Sequence, residues 1–347
     1  MNKKRMSVFV FAVLLLIAVP LMSACAKPAT PAQVITLKFH TSEAKGVVYD
    51  AAPVWWCEEV EKRTRGAVKF EIIYAGALGK LTDQPVNLQG GLFDLGRLTC
   101  LYNPGLYPAL TVNTLPFLTE DIRAITLAGM EIVKHPAMQK EFAALNSKEL
   151  FHWFLDPMEI MSHVPAKTIA ELKPLKIRAV GGAADAFTAA GLTPVGIPWG
   201  DLASAGERHV VDAACVPVPT TSYDAGLHEI FKYALRVPVH CFHLSMAINL
   251  DSWNKLSPDV QKVMLDVAKE APLKQIEFQD KARSQAWAAF EKSGVQQVQW
   301  SKDELSKFKE VGGKPVWEKW VKDMEAKGIP GREILDQFQK LIAKNGG

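Results

Sequence analysis

Polar and apolar residues alternate along 34–40 (VITLKFH) and 68–74 (VKFEIIY), and this period of two predicts a strand in each. Between them, Ala52, Trp55, Trp56 and Val60 group on one side of a helical period. Glu58, Glu59, Glu61, Lys62 and Arg63 fall mostly on the other, which predicts an amphipathic helix over 49–64 stopped by Gly66. Further strands are expected at 93–99 and 150–155. A Pro-rich apolar segment at 107–118, suited to a wall or covering loop, and a long helical region at 121–145 separate them. Residues 172–216 carry a β-α-β-α-β rhythm: a strand at 176–180 ended by Gly181-Gly182, a short Ala-rich helix over 183–190, an extended piece at 194–198, a helix over 201–208 and a strand at 210–214. A helix at 221–231 and a strand at 240–249 follow. Ser257-Pro258 opens a helical stretch reaching Lys292, longer than ordinary globular helices and therefore expected to cross between lobes with a kink at Pro272. Ser301 and Glu304 form a capping box for another helix, and amphipathic helices at 316–327 and 333–344 close the chain.

Strands interleaved with helices define an α/β fold, and 347 residues suit two lobes, each with its own core. The expected division puts 34–155 and 244–283 in lobe I, and 156–243 and 284–347 in lobe II, each an open sheet flanked by helices. Ligands of such sheets sit beyond the carboxyl ends of the strands. Arg178 lies there, beside the Gly-Gly turn. A guanidinium at that place suits a two-pronged grip on a carboxylate or phosphate, the competing reading being a surface salt bridge. Neither GxGxxG nor GK[ST] occurs, so Gly181-Gly182 is no nucleotide-phosphate fingerprint.

The amino terminus sets the compartment. Lys3, Lys4 and Arg5 precede an apolar run at 8–22, too short for a membrane span of ~20 residues, so 1–24 reads as a signal peptide. Leu21-Met22-Ser23-Ala24-Cys25 resembles a bacterial lipobox, in which Cys25 is acylated and becomes the mature terminus. Met22 departs from the usual Leu, and ordinary cleavage around Ala24-Cys25-Ala26 is the alternative. Residues 25–33 then form a tether. Removing the three basic residues lowers 40 Lys+Arg to 37, equal to the 37 Asp+Glu. The mature chain is formally neutral, with no basic excess for nucleic acid or an anionic membrane. No second apolar run is long enough to span a membrane. Cys57, Cys100, Cys215 and Cys241 lie far apart with no CxxC; export permits disulfides, and buried free thiols are the alternative.

Enzyme signatures are missing. There is no GxSxG and no HExxH, and His240 and His243, three apart on a strand, point to opposite faces and make a poor metal pair. Cys215, near the expected pocket, has no helper histidine placed by the sequence, so a small packing residue outweighs a nucleophile. No cofactor is expected.

Several phrases share one order along the chain: WCEEVEKRTRG with VKF from Trp56, AGALG from Ala75, GLFDLG from Gly91, LPFL from Leu115, LKPLKIR from Leu172, GLTPV from Gly191 and VVDA from Val210. Together they resemble the substrate-binding proteins of TRAP transporters, the DctP-like family, over nearly all of the mature chain. The resemblance implies a periplasmic-binding-protein-like fold of two lobes that closes on a small organic acid and delivers it to a TRAP membrane permease without chemistry. It implies that Arg178 pairs with the ligand carboxylate and that Trp199 lines the pocket, a core aromatic being the other reading of Trp199. The family's usual pocket Asn falls on Val216, and a further polar position falls near Met158. The polar position ending the first-lobe strand is Thr99, with Arg97 two residues earlier on the same face. The loop after the first strand offers Ser42 and Glu43, and Cys215 lies near the same pocket.

These departures bear on the ligand. Apolar residues at Val216 and Met158 remove hydrogen bonds a sugar acid or second carboxylate would need, at ~1–3 kcal/mol per unpaired buried group. With Trp199, the expectation is a monocarboxylate with an apolar or aromatic body. Arg97 decides the matter: aimed into the cleft it admits a dicarboxylate, whereas paired with Asp94 or Glu43 it does not. The alternatives are a ligand-binding lipoprotein feeding a sensor kinase, or an enzyme on this scaffold. Either way the chain is expected to be extracytoplasmic and lipid-anchored at Cys25.

Overall fold

The computed structural model describes residues 34–347; the expected signal peptide, the expected lipidation position Cys25 and the expected tether fall outside the described residues. Its strands are β1 (Ile35–His40), β2 (Val68–Ile73), β3 (Leu95–Leu98), β4 (Ser147–Ser162), β5 (Ile177–Arg178), β6 (Pro194–Val195), β7 (Ala213–Pro217), β8 (Tyr233–Arg236), β9 (Cys241–Asn249) and β10 (Gln296–Gln299). They run in the order β2-β1-β3-β9-β4-β7-β5-β6, with β8 beside β4 and β10 beside β8.

Strand β4 belongs to both halves. Its sequence, SKELFHWFLDPMEIMS, is buried almost throughout, as a strand covered on both faces should be. Ser147 to Pro157 pair antiparallel with β9, and Met158 to Ser162 pair with β7. The register slips between Phe154 and Pro157, where proline supplies no ladder N–H. The expectation of a strand at 150–155 therefore caught only the middle of the element that joins the lobes. In the second half β5 pairs parallel with both β6 and β7, the predicted β-α-β-α-β unit.

Prolines and a glycine divide helices that apolar periodicity alone would run together. The 121–145 region is two helices, Ile122–Ile132 and Pro136–Ala144, with Pro136 in the first turn of the second. The 257–292 stretch likewise splits into Pro258–Ala268 and Ala271–Lys292. Pro272 opens the second helix and does not kink a continuous one, because a first-turn residue needs no backbone N–H bond. The 221–231 helix breaks at Gly226, which is left-handed at φ 68°. The short strands β8 and β10 had no strong alternating signal and pair parallel at one edge.

The Ala271–Lys292 helix touches both halves. Gln275 bonds Ala52 N at 3.1 Å and Val48 O at 3.0 Å in the first, while Arg283 reaches Asp156 at 2.9 Å. Asp156, buried at the β4 crossing, also accepts from Thr220 N (3.1 Å) and Thr220 Oγ1 (2.5 Å). The final helix, Gly331–Lys344, was expected with lobe II. Instead Ile334, Leu335, Phe338 and Ile342 share an apolar cluster with Ile125, Ala128 and Ile132 of the first half, which its strongly one-sided apolar face allows. No described helix is long and apolar enough to cross a membrane. Cys57, Cys100, Cys215 and Cys241 are all buried free thiols.

Gly181-Gly182 is more than a turn. Gly181 takes φ +56°, and a Cβ on Gly182 would lie 1.7 Å from the Thr114 carbonyl oxygen, so only glycine lets the helix Gly181–Ala189 meet the first-half segment Ala109–Thr114. Gly182→Ala must push this backbone contact apart. The expected cost is about 1–3 kcal/mol, read as a lower denaturation midpoint, and an unchanged midpoint would show that the contact is dispensable.

Candidate functional site

The carboxyl end of β5 carries Arg178, and the ends of β1 and β3 carry the loop with Ser42 and Glu43 and the side chain of Arg97. Between them lies a small cavity of about 20 Å³. Leu81, Leu155, Trp199, Pro217, Phe242 and Leu244 form its apolar walls; Glu43, Tyr49 and Arg97 form a polar end, and Tyr102 and Thr221 add hydroxyls. It adjoins an outer mouth bounded by 75–82 of the first half and 198–201 of the second, with Glu43, Leu81, Tyr102 and Trp199 common to both spaces.

Two arginines, each 1 % exposed, stand near this cavity, Arg97 in its wall and Arg178 behind Tyr102, and their surroundings differ in kind. Arg97 donates to Asp50 Oδ1 at 2.8 Å, to Ser42 Oγ at 2.9 Å and to Glu43 Oε1. Tyr49 Oη donates to Glu43 Oε2 at 2.5 Å, and the Arg97 guanidinium lies 5.4 Å from the Tyr49 ring centre. Burial alone would raise the Glu43 pKa, but Arg97, Tyr49 and Ser42 outweigh it and hold the carboxyl below the usual range. Burial wins at Asp50, whose pKa is raised despite Arg97. Arg97 is thus consumed by two acids. Asp94, the other acid considered for it, bonds Lys38 N at 2.8 Å and Ser252 Oγ at 2.5 Å instead.

Arg178 has no acidic partner among the described residues. Nε donates to Ile197 O (3.1 Å), Nη1 to Cys215 O (3.2 Å) and Nη2 to Tyr102 Oη (2.8 Å). Two carbonyls and a neutral hydroxyl fix the fork without neutralising it, and Tyr102 carries its reach to the cavity wall. A buried cation without a counter-charge is costly, and an anion placed beside it is correspondingly favoured.

Of the residues expected at the site, Trp199, Arg97, Ser42 and Glu43 line these two spaces, and Arg178 reaches them only through the Tyr102 hydroxyl. The others do not line them. Cys215 contributes its carbonyl to Arg178, but its side chain is in the core and burial pushes the thiol up to about 12, which fits packing and not a nucleophile. Val216 points the other way, into a cluster with Met161, Phe231 and Ala234, and its neighbour Pro217 faces the cavity. Met158 is in the main core, its backbone paired with His240 and Val239. Thr99 was expected on the face of Arg97, but β3 ends at Leu98, strand alternation stops there, and Thr99 Oγ1 turns to His243 O at 2.9 Å. Tyr102, Tyr49, Leu155 and Thr221 were not anticipated. Alternation along β9 held the signal for two others: Phe242 and Leu244 share one face, the one that lines the cavity.

A sheet of two lobes crossed by one strand and one long helix, with an apolar cavity and a buried cation between them, defines a solute-binding protein. The chain matches the DctP family, bacterial extracellular solute-binding protein family 7, over residues 39–323, and it belongs to that family, whose members bind solutes and are not enzymes. It is 24 % identical to the 2,3-diketo-L-gulonate-binding periplasmic protein YiaO of Escherichia coli K12, across 81 % of this chain and 85 % of that protein. Its fold is similar to a marine-metagenome TRAP solute-binding protein specific for aromatic acid ligands, solved with metahydroxyphenylacetate (TM-score 0.82, 24 % identity, 90 % of this chain and 100 % of that one). It is also similar to a TRAP solute-binding protein of Rhodoferax ferrireducens T118 with copurified benzoate (TM-score 0.81, 23 % identity, 90 % and 98 %).

The Arg97 network makes a prediction whose sign can be worked out. Arg97→Met leaves Glu43 and Asp50 as uncompensated buried carboxylates, and the expected loss at pH 7 is about 3–5 kcal/mol. The native Glu43 pKa is depressed, so its contribution is present above the unfolded carboxylate pKa and fades as pH falls through the lower folded value. In the variant both acids take up protons more readily. The gap between variant and wild type in urea unfolding should therefore narrow as the buffer is taken from pH 7 to pH 4; a gap constant with pH would contradict the pairing.

Proposed function

We propose that this protein captures a monocarboxylate with an apolar or aromatic body and presents it to a TRAP-type membrane permease, and that Cys25 carries a lipid anchor after loss of the signal peptide 1–24. The observation that carries the ligand reading is the contrast between the two buried arginines. Arg97 already has two carboxylates, so a second acidic group on the solute would find no free cation there. Arg178 lacks one, and the solute carboxylate supplies it, displacing or joining the Tyr102 hydroxyl. Trp199, at the lip shared by cavity and mouth, packs on the solute body, and Leu155, Phe242 and Leu244 form its floor. Thr221 and the tyrosine hydroxyls are too few for the many hydroxyls of a sugar acid, although the relative YiaO is named for one. The aromatic-acid neighbours have the ligand chemistry that this wall suits. We assign the lobes as the halves on either side of the β4 crossing, closing over the solute as they rotate.

A thermal-shift screen of carboxylates, benzoate and metahydroxyphenylacetate included, should raise the melting point with monocarboxylates and not with dicarboxylates or sugar acids, since a ligand selective for the native state stabilises it. Arg178→Met removes the unpaired cation while keeping volume. The free variant should melt at or above wild type, yet show no ligand-induced shift and no heat of binding. Trp199→Ala should weaken binding about tenfold, or 1.4 kcal/mol. Unchanged affinity in the Arg178 variant overturns the assignment.

A further inference from the structure

Strand alternation puts Phe242 and Leu244 of β9 against the solute cavity and turns His243 and Ser245 to the other side of the sheet. There His243 meets residues of β4. His152 Nδ1 lies 3.4 Å from Glu149 Oε1, the same oxygen accepts from Ser245 Oγ at 2.5 Å, and Ser245 Oγ is 3.3 Å from His243 Nε2. One donor atom from each of Glu149, His152 and His243 falls within 4.8 Å of the other two. The sequence spacing made His240 and His243 a poor metal pair, and His240 Nδ1 lies 2.9 Å from the Cys241 carbonyl. What no spacing showed was that the fold brings β4 partners to His243.

Several features distinguish this group from an ordinary packed polar cluster. Both ring nitrogens of His152 are buried without a hydrogen-bond partner. Gly129 presses against its Nε2 side, where a Cβ would come within 2.2 Å, so the ring is held with Nδ1 toward Glu149. His243 Nδ1 is 3.7 Å from Cys100 Sγ, an outer contact that orients the ring so that Nε2 faces Ser245 and Glu149. Glu149 and His152 also line a surface depression with Glu131, Lys148 and Gln261, which gives solvent a route to the group.

We propose that Glu149, His152 and His243 form a site for a divalent transition metal of the zinc class, on the sheet face opposite the solute cavity. Two imidazoles and one carboxylate suit a borderline cation and not calcium or magnesium, which take oxygen ligands. Tetrahedral zinc with bonds of about 2.0–2.1 Å separates its donors by roughly 3.4 Å, the spacing already present between His152 and Glu149. Ser245 Oγ or a water from the depression completes the four. A metal here would clamp β4 to β9.

The test uses the full-length protein without a histidine tag, stripped by chelator and titrated with Co²⁺ and then Zn²⁺. One equivalent of Co²⁺ should bind with the strong visible absorption of a tetrahedral site, and Zn²⁺ should bleach it. The double variant His152→Gln, His243→Gln should lose at least about 100-fold in metal affinity while keeping its carboxylate-induced thermal shift, which reports an intact fold. Should that variant fail to fold, Glu149→Gln and the wild-type cobalt spectrum carry the test. No stoichiometric uptake, an octahedral spectrum, or affinity unchanged in the variants would overturn the site.

Discussion

A positive charge held out of water must be answered by something negative or by enough oriented dipoles. The interior of this protein contains both solutions within one cleft. Arg97 is answered by Glu43 and Asp50, a triad closed on itself and braced by Tyr49, Thr41 and Ser42. Arg178 is answered only by two carbonyls and the Tyr102 hydroxyl. Dipoles hold it in place but leave its charge outstanding, and the fold keeps that charge beside an apolar hollow. On the proposed reading, solute selectivity follows from this asymmetry more than from the shape of any one wall.

The backbone makes the asymmetry possible. Arg178 stands at the end of β5, in the middle of the second half, and Arg97 in β3 of the first. They come to one region, Arg97 in the cavity wall and Arg178 behind Tyr102, because β4 runs through both halves and because the Ala271–Lys292 helix is bonded to each. Asp156 ties strand, helix and the Thr220–Asp224 turn at the crossing. Gly182 then lets the second half approach the Thr114 backbone closely enough to shut the cleft.

Much of this was legible in the chain. The β-α-β-α-β run and the place of Arg178 follow from alternation and from the Gly-Gly stop, both local properties. Ser42, Arg97 and Trp199, singled out from the sequence, line the cavity and its mouth. What local pattern could not supply was the face presented after a strand ends or slips. Thr99 turns away because β3 stops one residue earlier, and Val216 and Pro217 exchange roles because one step along a strand reverses the side chain. Tyr102 sits in an irregular stretch with no period at all. The packing partner of the closing helix was not legible, because an apolar stripe states that something will cover it, not what.

The continuous β4 strand has a mechanical corollary. It pairs with β9 in one half and with β7 and β8 in the other, so the halves cannot slide apart along it without tearing backbone bonds. Twisting at the slip around Asp156 and Pro157 is the movement that leaves those bonds whole. A receptor built this way announces its cargo by an angle and not by a distance, and any partner that distinguishes full from empty must read the relative tilt of two faces at once.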